Sequence, residues 1–542
     1  MLRILSLNDF EAPLFDDLIT ASYTDNGPVY CTKNELQREL QSFDVHLREF
    51  PVVNITPEML ATRETARTIG ARDLFLPVQD SAFKKIANIW REKGWLEAIR
   101  TAAAEDPREI TFPLYWFATR FTQMLDLIEK GTFWTSVLPI SGSGSVADVA
   151  ATRDWATALI RCMAWHPHYI RLAVATRDDR IRIFSNTTSN INTAVLRHSA
   201  QKSVCCMSWR PNAGRELAAA CQNGVLVWTI ELGAASNSLS HAIMLKHRNH
   251  APVTSVAWNP EGDLLVSCCL TDMNMIIWDV AKESGVPLKR VGGGGLCFAR
   301  WSSCGSRLLA TTCRKIFRVW NIGAGTHWKP ERWTVPNGRV AAACFGPNLT
   351  LLFTSTENPA MIFSLPLQEK IFNVKKLDTL DDDKVAMPLI DLSKVTFASN
   401  EEDVHITAGG RVISMDWDPL GKYLAVIFQD SPLVAIFKTK IGSTSRITEV
   451  KPLCFAQGFL GEVPHCIEFY HNYQKKSDTT ILTIAWSSGF IQHFPILEKV
   501  QTHGQPDLCT TTHIGGTLSN SFAFNDDSYL QSSIYTSFST LQ

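Results

Sequence analysis

The sequence predicts an all-β fold in which seven small sheets stand in a ring, and three observations lead there. First, an alternating strand ends in an aromatic residue and then a Pro- or Gly-bearing turn, again and again: CMAWHPH at Trp165, CMSWRPN at Trp209, VTSVAWNPEG at Trp258, FARWSSCG at Trp301, AACFGPN at Phe345 and ISMDWDPLG at Trp417. Second, each is followed 18 to 20 residues later by a strand carrying another aromatic: Phe184, Trp228, Trp278, Trp320, Phe363 and Phe437. Third, the first five leading aromatics are 43 to 49 residues apart, the length of one propeller blade. A looser seventh copy runs from Phe469 to Phe494. Short strands with period-2 alternation, bounded by turn residues, cannot bury both faces alone; stacked radially, each covers its neighbour. The expectation is a seven-bladed WD40-type β-propeller with a helical N-terminal extension and a disordered C-terminal tail.

In chain order, residues 1–150 form the extension. Residues 81–105 place Phe83, Ile86 and Trp90 at helical spacing, and 114–130 place Phe117, Phe121, Met124, Leu125 and Ile128 on one helical face before Gly131. A face of this kind packs most often on its own domain. The SGSGS run, Ser141 to Ser145, reads as a linker. The propeller occupies residues 151–498, interrupted by an acidic insertion at about 366–410 that should loop out between the fifth and sixth blades. Residues 499–542 are the tail: its last 42 residues hold 14 Ser or Thr and no Lys or Arg, too little apolar surface to offset the entropy of ordering. The strand that seals the ring is expected from outside the seven units, with Leu2 to Leu7 the best candidate.

Composition narrows the function. Over 542 residues, 52 Lys plus Arg stand against 53 Asp plus Glu, so no global surplus of positive charge exists to neutralise a phosphate backbone, and direct nucleic-acid binding is disfavoured. No run approaches the ~18 to 20 apolar residues of a membrane span, and Asn8, Asp9 and Glu11 interrupt the N-terminal apolar run before a secretory signal forms. The 14 Cys include no C-x-x-C pair and read as reduced, buried thiols of a cytosolic or nuclear protein.

Catalytic, cofactor and metal sites are not expected. The glycines at 292–295 lack the Lys-Ser/Thr of a phosphate loop, and His166 with His168 has no third ligand at a suitable spacing. The residues singled out are structural. Trp165, Trp209, Trp258, Trp301 and Trp417, with Trp228, Trp278 and Trp320, should pack between blades. His250 and Asp272 should form a polar pair that pins the third blade, Asp272 lying six residues before Trp278. Asp178 repeats that position in the first blade, whereas Gln222, Arg314 and Ser431 replace it in the second, fourth and sixth. Packing rather than polar pinning should therefore hold those blades.

Several segments, in order, resemble one family: ANIWREKG (Ala87 to Gly94), MAWHPH (Met163 to His168), AACQNGVLVWT (Ala219 to Thr229), APVTSVAWNPEGDLLVS (Ala251 to Ser267), FRVW (Phe317 to Trp320), DWDPLGKYLAV (Asp416 to Val426) and AWSSGFIQHFPI (Ala485 to Ile496). The chain is similar from about Ser81 to Leu497 to the Aladin family of WD-repeat nucleoporins. That resemblance implies a non-enzymatic scaffold on the cytoplasmic side of the nuclear pore complex, held at the nuclear envelope by a transmembrane nucleoporin. It also implies roles in protein and mRNA transport and in spindle assembly. The chain differs from barrier-forming nucleoporins, since Phe345-Gly346 is its one Phe-Gly dipeptide. The alternatives are a WD40 adaptor, serving a ubiquitin ligase or reading a modified peptide through a charged or aromatic cage in the central channel, and a propeller hydrolase with convergent acidic or His residues.

Overall fold

The inner strands of seven sheets surround one channel in a computed structural model: Ile160–Trp165, Cys206–Trp209, Val253–Trp258, Leu296–Trp301, Val340–Phe345, Val412–Trp417 and Pro464–Phe469. The structure describes residues 4–32, 49–61 and 146–497, less 188–189, 213, 231–240, 289–293, 324–327, 337, 368–385, 399–404, 443–445 and 471–478, with isolated positions at 35–36, 86, 99, 102–103 and 115–122. Within the extension, residues 115–122 are helical. Most of the two predicted helical segments, the SGSGS linker, half of the glycine run and the whole tail lie outside the described residues. Met1–Glu498 forms one compact unit.

Blades one, two, three, four and six are antiparallel four-stranded sheets in simple sequential order. The spacing of the aromatics has a direct geometric cause. The leading aromatic closes the inner strand and pairs with a leucine of the second strand; that leucine pairs on its other side with the trailing aromatic of the third. The rows are Trp165–Leu172–Phe184, Trp209–Leu217–Trp228, Trp258–Leu265–Trp278, Trp301–Leu308–Trp320, Trp417–Leu424–Phe437 and Phe469–Leu482–Phe494. Side chains in one row share a face, and the six leucines are fully buried. Blade five departs from the sequence assignment: Leu351 joins Phe345 to Leu365, while Phe363 sits two pairs further along, opposite Phe353.

These rows pack against mostly small residues on the preceding blade. Trp209, Leu217 and Trp228 meet Ala164, Ala173 and Ala175, and Trp417, Leu424 and Phe437 meet Ala342, Cys344 and Ile362. The pattern closes on itself, because Trp165, Leu172 and Phe184 pack with Cys466, Ile481 and Ala485 of blade seven. Interdigitation around the full circle covers the inner part of each blade with its neighbour.

Ring closure comes from the N-terminal region, but not from the segment expected. Leu5–Ser6 pairs parallel with Met387–Asp391, the outer strand of blade five. Ile19–Thr24 covers the outer edge of Phe490–Leu497 in blade seven, pairing at Tyr23 with Ile496 and Thr24 with Leu497. Val53–Asn54 pairs with the other end of the same strand. The fourth strand of blade seven is thus assembled from two N-terminal pieces. Before them in the chain Phe10 stacks on Phe455 at 4.5 Å, and between them Phe50 meets Trp165 edge-on at 5.5 Å across the seam. Gly489 is required where this belt crosses: a Cβ there would lie 1.9 Å from the carbonyl oxygen of Ile55.

Part of the acidic insertion is also sheet. Met387–Asp391 completes blade five, and Val395–Ala398 pairs with His405–Ala408 in a hairpin before blade six.

Candidate protein-interaction site: the propeller channel and its faces

Residues 146–158 enter the channel mouth at the end where the inner strands begin. Their contacts come from many blades. The Arg153 N–H donates to the His465 carbonyl at 2.9 Å and its guanidinium to the Ser431 carbonyl at 2.7 Å. The Trp155 indole donates to the Val204 carbonyl at 3.3 Å, and Arg339 donates to the Asp148 carbonyl at 2.6 Å. Ala151 and Thr152 form one end of a cavity of about 550 Å³ that runs along the channel. Its walls carry Cys162, Cys205, Cys206, Cys344 and Cys466, and its far end carries Arg300, Asp416 and Glu468.

Those charged side chains occupy the position just before each leading aromatic. This position has a structural task, because the inner edge of an innermost strand has N–H groups with no further strand to pair with. Glu468 Oε1 accepts the N–H of Trp165 at 3.2 Å, Asp416 Oδ2 that of Phe469 at 2.7 Å, and Ser208 Oγ that of Trp258 at 3.4 Å. Each bond ties one blade to the next. Glu468 Oε2 is buried without a hydrogen-bond partner, and burial, reinforced by the charge of Asp416, pushes the Glu468 carboxyl up to about 8. Sequence reasoning missed these three residues because neighbouring copies carry Ala, Arg or Cys there; the signal was the position, not the residue type.

Of the eight tryptophans, seven are buried; Trp301 is half-buried, lining the channel and meeting Trp328 edge-on at 6.0 Å. Several indoles are hydrogen-bonded: Trp209 to the Ala164 carbonyl at 3.0 Å, Trp301 to that of Ala257 at 3.3 Å, Trp165 to Thr483 Oγ1 and Trp417 to Thr439 Oγ1, both at 3.0 Å. The indoles of Trp258 and Trp320 have no hydrogen-bond partner.

His250 and Asp272 meet in blade three, with Nδ1 and Oδ2 3.0 Å apart. His250 Nε2 lies 2.8 Å from Ser267 Oγ, which accepts the Trp278 indole N–H at 2.8 Å. One tautomer satisfies the whole chain: Trp278 donates to Ser267, Ser267 to Nε2, and Nδ1–H to Asp272. Burial holds the His250 imidazole below its ordinary value despite the Asp272 hydrogen bond. With both ring nitrogens engaged and the ring neutral, the pair has no atom left for acid–base chemistry.

Blade two is less dependent on packing alone than the sequence suggested, and blade seven uses the same device. In blade two the Trp228 indole bonds Gln201 Oε1 directly at 2.9 Å, and Gln201 Nε2 reaches the carbonyl of Asp179 at 2.6 Å. In blade seven Gln492 Oε1 accepts the Trp486 indole at 2.9 Å. A glutamine thus fills the role that Ser and His share in blade three. Asp178 does not bond a histidine; it forms a fork with Arg182, at 2.8 and 3.1 Å.

His166 and His168 tie neighbouring turns together. Their Nε2 atoms lie 2.6 Å from the Gly214 carbonyl and 2.5 Å from the Pro211 carbonyl, and His166 Nδ1 accepts the N–H groups of His168 and Tyr169. Arg210 and Asn212 continue the linkage to the Gly262 and Glu261 carbonyls of blade three. Among the described residues, no group of three or more His, Cys, Asp or Glu is placed to hold a metal ion. Nor, among them, is any helix long and apolar enough to cross a membrane. Most thiols are buried, but Cys304 and Cys313 are exposed, contrary to the sequence expectation.

A sequence model described as the Aladin seven-bladed propeller matches residues 141–497. The chain is 24% identical over 364 residues to Aladin of Arabidopsis thaliana, covering 62% of this chain and 75% of that protein. It is 26% identical over 156 residues to WD repeat and HMG-box DNA-binding protein 1 of Mus musculus, but spans 28% of this chain and 13% of that protein. Among solved structures, the beta-propeller domain of Cps50 (Swd1) from Myceliophteria thermophila is 11% identical with a TM-score of 0.39, over 52% of this chain and 84% of that one. From the family match, the 24% identity and the seven closed blades, the chain belongs to the Aladin seven-bladed propeller family, a family of scaffolds.

Proposed function

We propose that this chain is a nuclear pore scaffold subunit. Its propeller docks on a transmembrane nucleoporin at the cytoplasmic side of the pore and supports transport of proteins and mRNA, with a further part in spindle assembly. One observation carries the reading. The ring is closed by its own N-terminal belt, and Glu468, Asp416 and Ser208 each tie one blade to the next, so the fold presents a stiff surface. A scaffold needs that property. Family membership supports the same assignment. On this reading the eight tryptophans and the His250–Asp272 pair keep the ring stiff and touch no partner. The docking surface lies on the unit formed by residues 1–498, and residues 499–542 are dispensable for docking.

The test is imaging of tagged protein at matched expression, with co-precipitation of transmembrane nucleoporins. The full chain should give a punctate nuclear rim and bring one such nucleoporin down, and deletion of Gln501 to Gln542 should preserve both. A diffuse full-length protein, or loss of the rim on deleting the tail while the propeller stays folded, would refute the reading.

A further inference from the structure

Blade four holds two sulfurs in contact. Cys297 lies on the inner strand Leu296–Trp301 and Cys313 follows the second strand Arg307–Thr312; their Sγ atoms are 3.7 Å apart. The two differ sharply in access, since Cys297 is fully buried and Cys313 is exposed. The local backbone allows approach. The register between these strands shifts between Leu296 and Ala299, so Cys297 lies in a bulge, and Cys313 is tied to the sheet by its N–H to the Gly295 carbonyl at 3.0 Å. A disulfide requires the sulfurs to close by roughly 1.7 Å, to about 2.05 Å. A bulge and a chain turn are the places where a sheet yields by that amount.

We propose that Cys313 and Cys297 form an oxidation site for hydroperoxides, Cys313 being attacked first and Cys297 resolving it into an intrachain disulfide. The Cys313 thiolate attacks one peroxide oxygen, the O–O bond breaks, and the departing hydroxide takes up a proton to leave as water. Cys313 is then a sulfenic acid. The Cys297 sulfur displaces its hydroxyl, the S–S bond forms, and the thiol proton leaves with that hydroxyl as a second water. Two thiols and one hydrogen peroxide give one disulfide and two waters; the sulfur pair loses two electrons and the peroxide gains them. The order follows from access: the hydrogen bond to Cys313, together with burial, holds the Cys297 thiol well above its ordinary value, so it waits as the partner. The bond would cross-link the inner and second strands of blade four where the bulge leaves their pairing irregular.

The experiment uses the full chain with Cys304→Ser, which removes the other exposed thiol among the described cysteines. The protein is treated with hydrogen peroxide, alkylated, and digested with trypsin without reduction. The expected product joins the peptide 291–300, which contains Cys297, to 308–314, which contains Cys313, and it disappears on treatment with dithiothreitol. Iodoacetamide applied to the native protein before peroxide should label Cys313, leave Cys297 unlabelled and prevent the link. In Cys313→Ser, whose side chain is exposed, the melting temperature should hold and Cys297 should remain a thiol. In Cys297→Ala, Cys313 should stop at a dimedone-reactive sulfenic acid; if that variant does not fold, the Cys313→Ser and labelling arms decide alone. Cys313 found as sulfinic or sulfonic acid, or as a dimer between two chains, with Cys297 still reduced, would overturn the proposal.

Discussion

Glu468 in blade seven accepts the backbone N–H of Trp165 in blade one at 3.2 Å, joining the last sheet of the ring to the first. The second oxygen of the same carboxyl is buried and unpaired. One residue therefore both fastens the seam and carries an electrostatic penalty when ionised.

Replacing it with Gln separates the two effects. Burial and the Asp416 charge raise the folded carboxyl to about 8 from an ordinary 4.5, so between those values the folded state holds a proton that the unfolded chain has released. The stability this residue contributes is full below about 4.5 and falls as pH rises towards 8. Glu468→Gln keeps an acceptor for Trp165 and removes the ionisation, so its melting temperature relative to wild type should climb from pH 5 to pH 8. A difference that stays constant or shrinks over that range contradicts the assignment.

Buried histidines set the opposite slope. Burial lowers His166 and His493 to about 4, and lowers His250 and His465 as well. The neutral rings favour the fold above the unfolded value of about 6.5, and that contribution is lost as pH falls below it. Glu468 and Asp418, the latter raised to about 6 by burial, act the other way, but they are two groups against four. Denaturant midpoints should fall between pH 6.5 and 5. His493→Gln should flatten that fall; an unchanged slope would mean another group titrates.

Trp258 is 5% exposed between blades two and three, with the Arg210 guanidinium 5.1 Å over its ring. Its indole has no hydrogen-bond partner, so Trp258→Ala removes buried packing and the Arg210 contact without breaking a hydrogen bond, and should cost about 3–5 kcal/mol. Trp116→Ala, at 55% exposure, should stay within about 0.5 kcal/mol of wild type. Urea denaturation of both variants decides it, and equal losses would refute the burial argument.

The N-terminal belt should be indispensable to the ring. Ile19 and Ala21 are fully buried, and Thr20 reaches two blades, its carbonyl accepting from Gln492 Nε2 at 2.5 Å and its hydroxyl from the Gln457 N–H at 3.0 Å. Ala21→Arg should expose the outer edge of Phe490–Leu497, a row of unpaired backbone groups prone to pairing with other chains. Limited proteolysis should then cut blade seven first, and light scattering should show association. Protease resistance equal to wild type would place closure elsewhere.

The seven blades were legible because each repeats the same burial pattern locally. A strand whose alternate residues face a neighbour must place its aromatic at a fixed distance from the next, and the leucine row fixes that distance. The polar pinning was half legible: His250 and Asp272 stood at recognisable positions, whereas Gln201 does the same work with a different residue, since any side chain that presents an acceptor to the Trp228 indole serves. Phe363 misled because the register in blade five, and not the residue type, decides which side chain completes the row.

By itself, then, the sequence determined the repeat, the number of blades and which residues face inward, because these follow from short-range alternation and turn chemistry. Tertiary structure alone decided the closing strand, the entry of residues 146–158 into the channel mouth, the acceptors at Asp416 and Glu468, and the contact between Cys297 and Cys313. Each of these satisfies a group that the local chain leaves open. The outer edge of Phe490–Leu497, the inner N–H groups and the channel mouth exist only once the ring has brought distant residues together, and nothing in local periodicity records what will fill them.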